Sequence, residues 1–145
     1  MKLVAAWQFW ALASAAFAAL TAIFAKVGIS NINSDVATFI RTLVIICVLG
    51  ALLLATGQWR GGTGALTGKN WLFLILSGLA TGASWVCYFR ALSMGDASRV
   101  APIDKLSVVM VALFAALFLG EKLSATSWFG VVLIAAGAIF VAIGG

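Results

Sequence analysis

Three charged side chains, Arg41, Asp104 and Lys105, stand inside or at the edge of long apolar runs, where a charge needs a reason to stay. An arginine in such a place can take an anionic group by paired hydrogen bonds. A carboxylate there can carry a proton or hold a cation. Between Trp85 and Val109 the chain places five of its thirteen charged residues, Arg90, Asp96, Arg99, Asp104 and Lys105, around its only proline, Pro102. The chain has no histidine, which removes imidazole acid–base chemistry, Ser-His nucleophilic pairs and His-ligated metals. Cys47 and Cys87 lie in apolar runs without CxxC spacing and read as small packing residues. No nucleophile stands with a base, and no cage of metal ligands is evident, so neither an enzyme nor a cofactor is expected.

The candidate residues fall into two groups. Asp35, Thr38, Arg41 and Thr42 share an arc of about 120° on a helix, and Arg41 lies about 9 Å along the axis, a depth that favours an inward-facing role over snorkelling. Ser77, Thr81, Ser84 and Tyr88 fall within about 60° of one another, with Trp85 adjoining. Four hydroxyls in a row make a wall that a polar solute can touch, or they bond to their own backbone one turn back. Beside them Gly78 and Gly82 form a GxxxG step that favours close helix packing. The second group is Pro102, Asp104, Lys105 and Ser107. Asp104 and Ser107 share a face, whereas Asp104 and Lys105 point about 100° apart and are expected to serve different partners. Pro102 is the expected bend point. Lys26 and Arg90 are candidate interfacial anchors, Arg90 equally a ligand, and Asp35 and Asp104 are the carboxylates available to couple protons.

The elements that must position these residues are membrane spans. The chain is 64% hydrophobic and 9% charged, with mean hydropathy +1.18, whereas soluble domains carry about a quarter of charged residues. An all-α integral membrane fold of five transmembrane helices is predicted, at about 4–26, 35–56, 71–92, 99–119 and 125–143, as one unit over 1–145. The first apolar run, Leu3 to Ala25, exceeds a signal-peptide core of about 7–15 residues and reads as a retained helix. Ser34 or Asp35 is expected to cap the second helix and Ser124 or Ser127 the fifth. Gly130 and Gly137 read as packing positions. Trp59 and Trp71 bracket a glycine-rich connector that matches no phosphate-binding pattern.

Five spans put the termini on opposite sides. Lys2, Arg60, Lys69 and Lys122 fall on the N-terminal side; Lys26 and Arg99 fall on the other, joined by Arg41, Arg90 and Lys105 when residues inside the helices are included. Without those interior residues the positive-inside rule mildly prefers a cytoplasmic N-terminus; with them the preference is lost, so a chain this near balance can insert both ways. Five helices resemble half of an inverted-repeat carrier, and an oppositely inserted copy would complete it. An antiparallel homodimer is expected.

Several stretches carry a family resemblance. Tyr88-Phe89-Arg90-Ala91-Leu92, Ala101-Pro102 with its downstream helix, Gly120-Glu121-Lys122-Leu123 and the Gly130 to Gly137 spacing resemble the EamA-type proteins of the drug/metabolite transporter superfamily. AIFAKVGI and DVATFIRT extend the likeness to the front half, so it covers nearly the whole chain and matches the five-helix, single-unit branch. The resemblance implies a helical carrier, often an exporter of small metabolites, working by alternating access in a bacterial or archaeal inner (cytoplasmic) membrane. In ten-helix relatives the halves are inverted repeats. Four-helix drug exporters of the superfamily use a first-helix glutamate, and this chain has no acidic residue from Met1 to Ala25, which argues against that route.

The expected function is thus secondary transport. The excess of cations over carboxylates suits a small anionic or zwitterionic substrate, and no nucleic-acid partner is expected. The alternative is a non-transporting membrane subunit or assembly partner that uses the helix-packing glycines. A dry hydroxyl row would favour the subunit, a wet one the carrier.

Overall fold

The computed structural model describes residues 6–59 and 66–144, all helix and turn with no strand among them. Lys2 and Arg60 of the charge balance, and Val4 at the expected start of the first helix, lie outside the described residues. Six helices lie wholly within the described residues: α1 (Ala6–Gly28), α2 (Ser34–Ala55), α3 (Gly68–Met94), α4 (Ala97–Asp104), α5 (Ser107–Phe118) and α6 (Ala125–Ile143). The last three begin where capping chemistry or a turn allows it, and α4 with α5 forms a single span, Ala97–Phe118. Five spans are long and apolar enough to cross a bilayer, as the sequence predicts.

Local chemistry explains the ends. Asn33, and not Ser34 or Asp35, caps α2: its Oδ1 accepts from the Asp35 and Val36 N–H groups at 2.8 and 3.3 Å. Asn31 has φ 64° and Asn33 is extended, so asparagines rather than Gly28 set the backbone of this connection. Ser124 caps α6 as expected, accepting from Ser127 N–H at 3.1 Å. After α5 the chain turns on Gly120, φ 68°, a conformation that costs other residues most, and Glu121 N–H reaches back to Ala115 O at 3.1 Å.

The expected continuous fourth helix, 99–119, is instead interrupted at Lys105 and Leu106. Helix α4 starts at Ala97, which puts Pro102 in the second turn, where its missing N–H leaves the Ser98 carbonyl without its helical donor. The ladder then tightens to i→i+3 bonds, Leu106 N–H to Ile103 O, Val108 to Lys105 O and Val109 to Leu106 O, each 3.0 Å. The interruption thus falls a turn after Pro102.

The chain divides into two compact units. One comprises α1 up to Val27 and everything from Met94 onward; in it α4 and α5 both pack on α6. Its buried residues are small or β-branched, Ala22, Ala115, Val131 and Ala138, as suits close helix approach in lipid. Lys26 Nζ donates to Gly95 O at 2.8 Å, tying α1 to the turn before α4. The other unit, Gly28–Ser93, holds α2 and most of α3, with Ile29, Thr38, Phe89 and Leu92 buried. A Cβ built on Gly78, Gly82, Gly130 or Gly137 meets no atom within 4 Å among the described residues.

Candidate functional site

In the Gly28–Ser93 unit, contacts between α2 and α3 run antiparallel. Asp35 meets Arg90, and Arg41 meets Trp85 and Phe89. The Arg41 guanidinium carbon lies 4.2 Å from the Trp85 ring centroid and 5.3 Å from that of Phe89. Both distances are within the range of a cation held over an aromatic face. Trp85 and Phe89 are one turn apart on α3, so their rings fall on the same side of the helix and form a platform. Phe89 is 2% exposed, while Arg41 and Trp85 are half-buried. The sequence reading missed Phe89, although its i+4 spacing from Trp85 carried the signal.

One turn or more nearer the helix ends, Arg90 forms a two-point ion pair with Asp35, Nε to Oδ1 at 3.1 Å and Nη2 to Oδ2 at 2.7 Å. The fork of a guanidinium matches a carboxylate in this geometry, which makes such pairs the stronger kind. Asp35, a candidate coupling carboxylate, is thereby occupied, and Arg90, a candidate anchor, is held by a partner in its own chain. Fifty-five positions separate them, so no local spacing could have matched the two.

The hydroxyl row is less uniform than its helical arc. Ser77, Thr81 and Ser84 are exposed, and Thr81 Oγ1 donates to Ser77 O at 2.9 Å. Tyr88 is half-buried beside Phe89. Thr38 and Thr42 likewise turn to their own backbone, at Ser34 O and Thr38 O.

In the other unit Asp104 and Lys105, expected to serve different partners, bond to each other at 3.2 Å. The helical 100° offset no longer separates them because the helix ends at this point. Ser107 opens α5 and is exposed, beyond the interruption from Asp104. Lys26 serves Gly95 O, and Arg99 donates Nε and Nη2 to Ala142 O at 3.1 and 2.9 Å. Gln8, which the sequence reading passes over, buries its Oε1 without a donor among the described residues.

The cations can therefore be sorted by what they hold. Lys26 and Arg99 reach carbonyl oxygens, and Arg90 and Lys105 reach carboxylates. Arg41 alone of the five lies on aromatic rings, with no acceptor oxygen bonded to it among the described residues. Its hydrogen-bonding edge is left for something else.

Comparison with known proteins gives this arrangement its context. The chain matches the EamA-like transporter family over residues 5–143. It is 66% identical over 137 residues to an uncharacterized transporter in the cobO 3′ region of a Sinorhizobium species, covering 94% of this chain and 96% of that one. It is 28% identical over 138 residues to an uncharacterized transporter of Vibrio cholerae serotype O1, covering 92% of this chain and 42% of the relative. No solved structure matches. With five apolar spans and a family match across nearly its whole length, the chain belongs to the EamA-like transporters and is a membrane transporter embedded in the lipid bilayer.

Proposed function

We propose that this protein is a secondary transporter that exports a small anionic or zwitterionic metabolite by alternating access. The Arg41 stack carries this reading. A guanidinium inside a membrane span, flanked by rings and lacking a carboxylate, is a prepared receptor for a solute's carboxylate or phosphate. The rings shield one side of the cation from lipid without neutralising it, so the charge is completed only when the solute arrives.

The Asp35–Arg90 pair suits the role of a clasp at one end of the α2–α3 seam. Arg41 lies about 9 Å further along α2 than Asp35, behind that pair. A solute leaving or entering by this end must part the two residues, and they re-form behind it. Alternating access needs such a contact on each side of the site.

An antiparallel homodimer would supply the second side. The near-balanced charge of the span ends supports dual insertion. The Vibrio relative supports pairing too, since this chain spans less than half of it and the remainder leaves room for a second unit. The two relatives are bacterial, in keeping with a bacterial inner membrane as the site of action.

The test is a screen of small carboxylates, phosphates, amino acids and cationic drugs with purified protein in liposomes, with and without a pH gradient. Anions or zwitterions should be carried, and Arg41→Ala should cut that flux at least about tenfold, the equivalent of 1.4 kcal/mol. Transport confined to cations, or full flux in Arg41→Ala with normal insertion, would sink the reading.

A further inference from the structure

A cleft of about 510 Å³ opens where α4 begins and α6 ends, lined by Asp96, Ser98, Arg99, Phe140, Val141 and Gly144. It belongs wholly to the unit that contains α4 and α6. Both helices that frame it are ends of membrane spans, so the cleft sits at the level where a bilayer changes from acyl chain to headgroup.

Its polar groups are of opposite charge and are not used on each other. Asp96 occupies the position before α4, yet its side chain makes no capping bond; its backbone carbonyl takes the Arg99 and Val100 N–H groups at 3.0 and 2.9 Å. The carboxylate is therefore free to face the cleft. Arg99 gives Nε and Nη2 to Ala142 O, which leaves its Nη1 hydrogens to donate. Neither residue takes part in the two ion pairs found among the described residues. Ser98 adds a hydroxyl between them in sequence. The other wall is apolar, with Phe140 75% and Val141 51% exposed on the surface that acyl chains must cover.

A ligand that answers all of these features has a hydrogen-bonding ammonium, an anionic oxygen a few bonds away, and an apolar tail. We propose that the cleft binds the headgroup of a phosphatidylethanolamine-type lipid. The ammonium donates to the Asp96 carboxylate, the phosphate accepts from Arg99 Nη1 and the Ser98 hydroxyl, and the acyl chains run down past Val141 and Phe140. A choline headgroup has the same charges but no N–H to give Asp96. A glycerol headgroup has no cation and sets its phosphate beside an unpaired carboxylate. The site therefore discriminates by the headgroup amine.

Delipidated full-length protein in detergent, titrated with phosphatidylethanolamine, phosphatidylcholine and phosphatidylglycerol of equal chain length, tests this by native mass spectrometry of the retained lipid. Phosphatidylethanolamine should be held about tenfold more tightly than either other lipid, or 1.4 kcal/mol of discrimination. Asp96→Asn should erase that preference, and Arg99→Gln should weaken retention of all three. Should Arg99→Gln fail to fold for want of its bond to Ala142 O, Asp96→Asn decides alone, because among the described residues the Asp96 side chain makes no capping bond and no ion pair. Equal retention of the three lipids, or an unchanged preference in Asp96→Asn, would overturn the assignment. So would free phosphoethanolamine binding as tightly as the lipid, since the apolar wall would then contribute nothing.

Discussion

Arg41 and Arg90 are both arginines in spans of the same unit, yet their surroundings assign them different work. Arg90 has a carboxylate and is neutral as a pair; Arg41 has rings and keeps its charge. The distinction predicts different responses to conservative change. Arg41→Lys preserves the charge but loses the flat cation that lies on Trp85 and forks toward an oxyanion, so flux should fall nearly as far as in Arg41→Ala. The stacking itself is worth about 0.5–2 kcal/mol, enough to set where the side chain rests. For the clasp, order matters rather than identity. Asp35→Arg and Arg90→Asp, each alone, should place like charges opposite one another and stop transport, while the exchanged pair should recover a substantial part of it. Flux and membrane yield measured across that double-mutant cycle isolate the coupling of the two residues. A swap no better than the single variants would make them two independent sites. The residue scale is also where sequence reading reached its limit. An inward-facing Arg41 was the expectation from its depth in an apolar run, and the structure half-buries it on two rings. Its platform was half readable, through Trp85 but not Phe89. The partnership of Asp35 with Arg90 was not, because a contact across 55 positions is set by how two helices dock.

At the scale of elements, hydropathy and end chemistry carried most of the information. Five apolar runs of span length gave five spans, since lipid leaves a helix as the only way to satisfy every backbone group within one segment. The interruption between α4 and α5 was only partly legible. Pro102 announces a fault, but a proline removes the bond to the residue four positions back and leaves open which later residues absorb the misfit. Here Lys105 and Leu106 do so, through tightened bonds. A stretch of such turns inside a span is a natural hinge. Pro102→Ala returns an N–H to the Ser98 carbonyl and should rejoin α4 with α5. The expected result is a higher thermal unfolding midpoint together with slower flux, as a hinge required for transport becomes stiffer. Raised stability with unchanged flux would make the interruption a passive consequence of sequence. What the glycines pack against was not legible at this scale. GxxxG spacing reports that a helix can be approached closely, not that its own chain approaches it, and Gly78 and Gly82 have open space beside them.

For the molecule as a whole, the question is what those open surfaces meet. Ser77, Gly78, Thr81 and Gly82 lie together on an exposed part of α3, and Gly130 and Gly137 are equally open on α6. Lipid can cover an apolar helix, but it offers nothing to a row of hydroxyls, one of which, Thr81, has already turned to its own backbone. A second copy inserted the other way would bring helices against these small residues and supply a transport path with two comparable ends. Charge balance makes such insertion feasible: Lys2, Arg60, Lys69 and Lys122 belong to one set of span ends, and Lys26 and Arg99 to the other, joined by Arg41, Arg90 and Lys105 when residues inside the helices are included. Adding cations should therefore decide orientation. With reporters active on only one side of the membrane fused to either terminus, the native chain should give signal from both fusions. Two lysines added near Glu121 and Lys122 should drive nearly all copies to one orientation and abolish flux. Flux should return when this variant is expressed with a partner carrying two added lysines near Arg99, because the two biased chains then insert oppositely. Full flux from one biased chain alone would mean that parallel copies suffice, and the antiparallel arrangement would have to be abandoned.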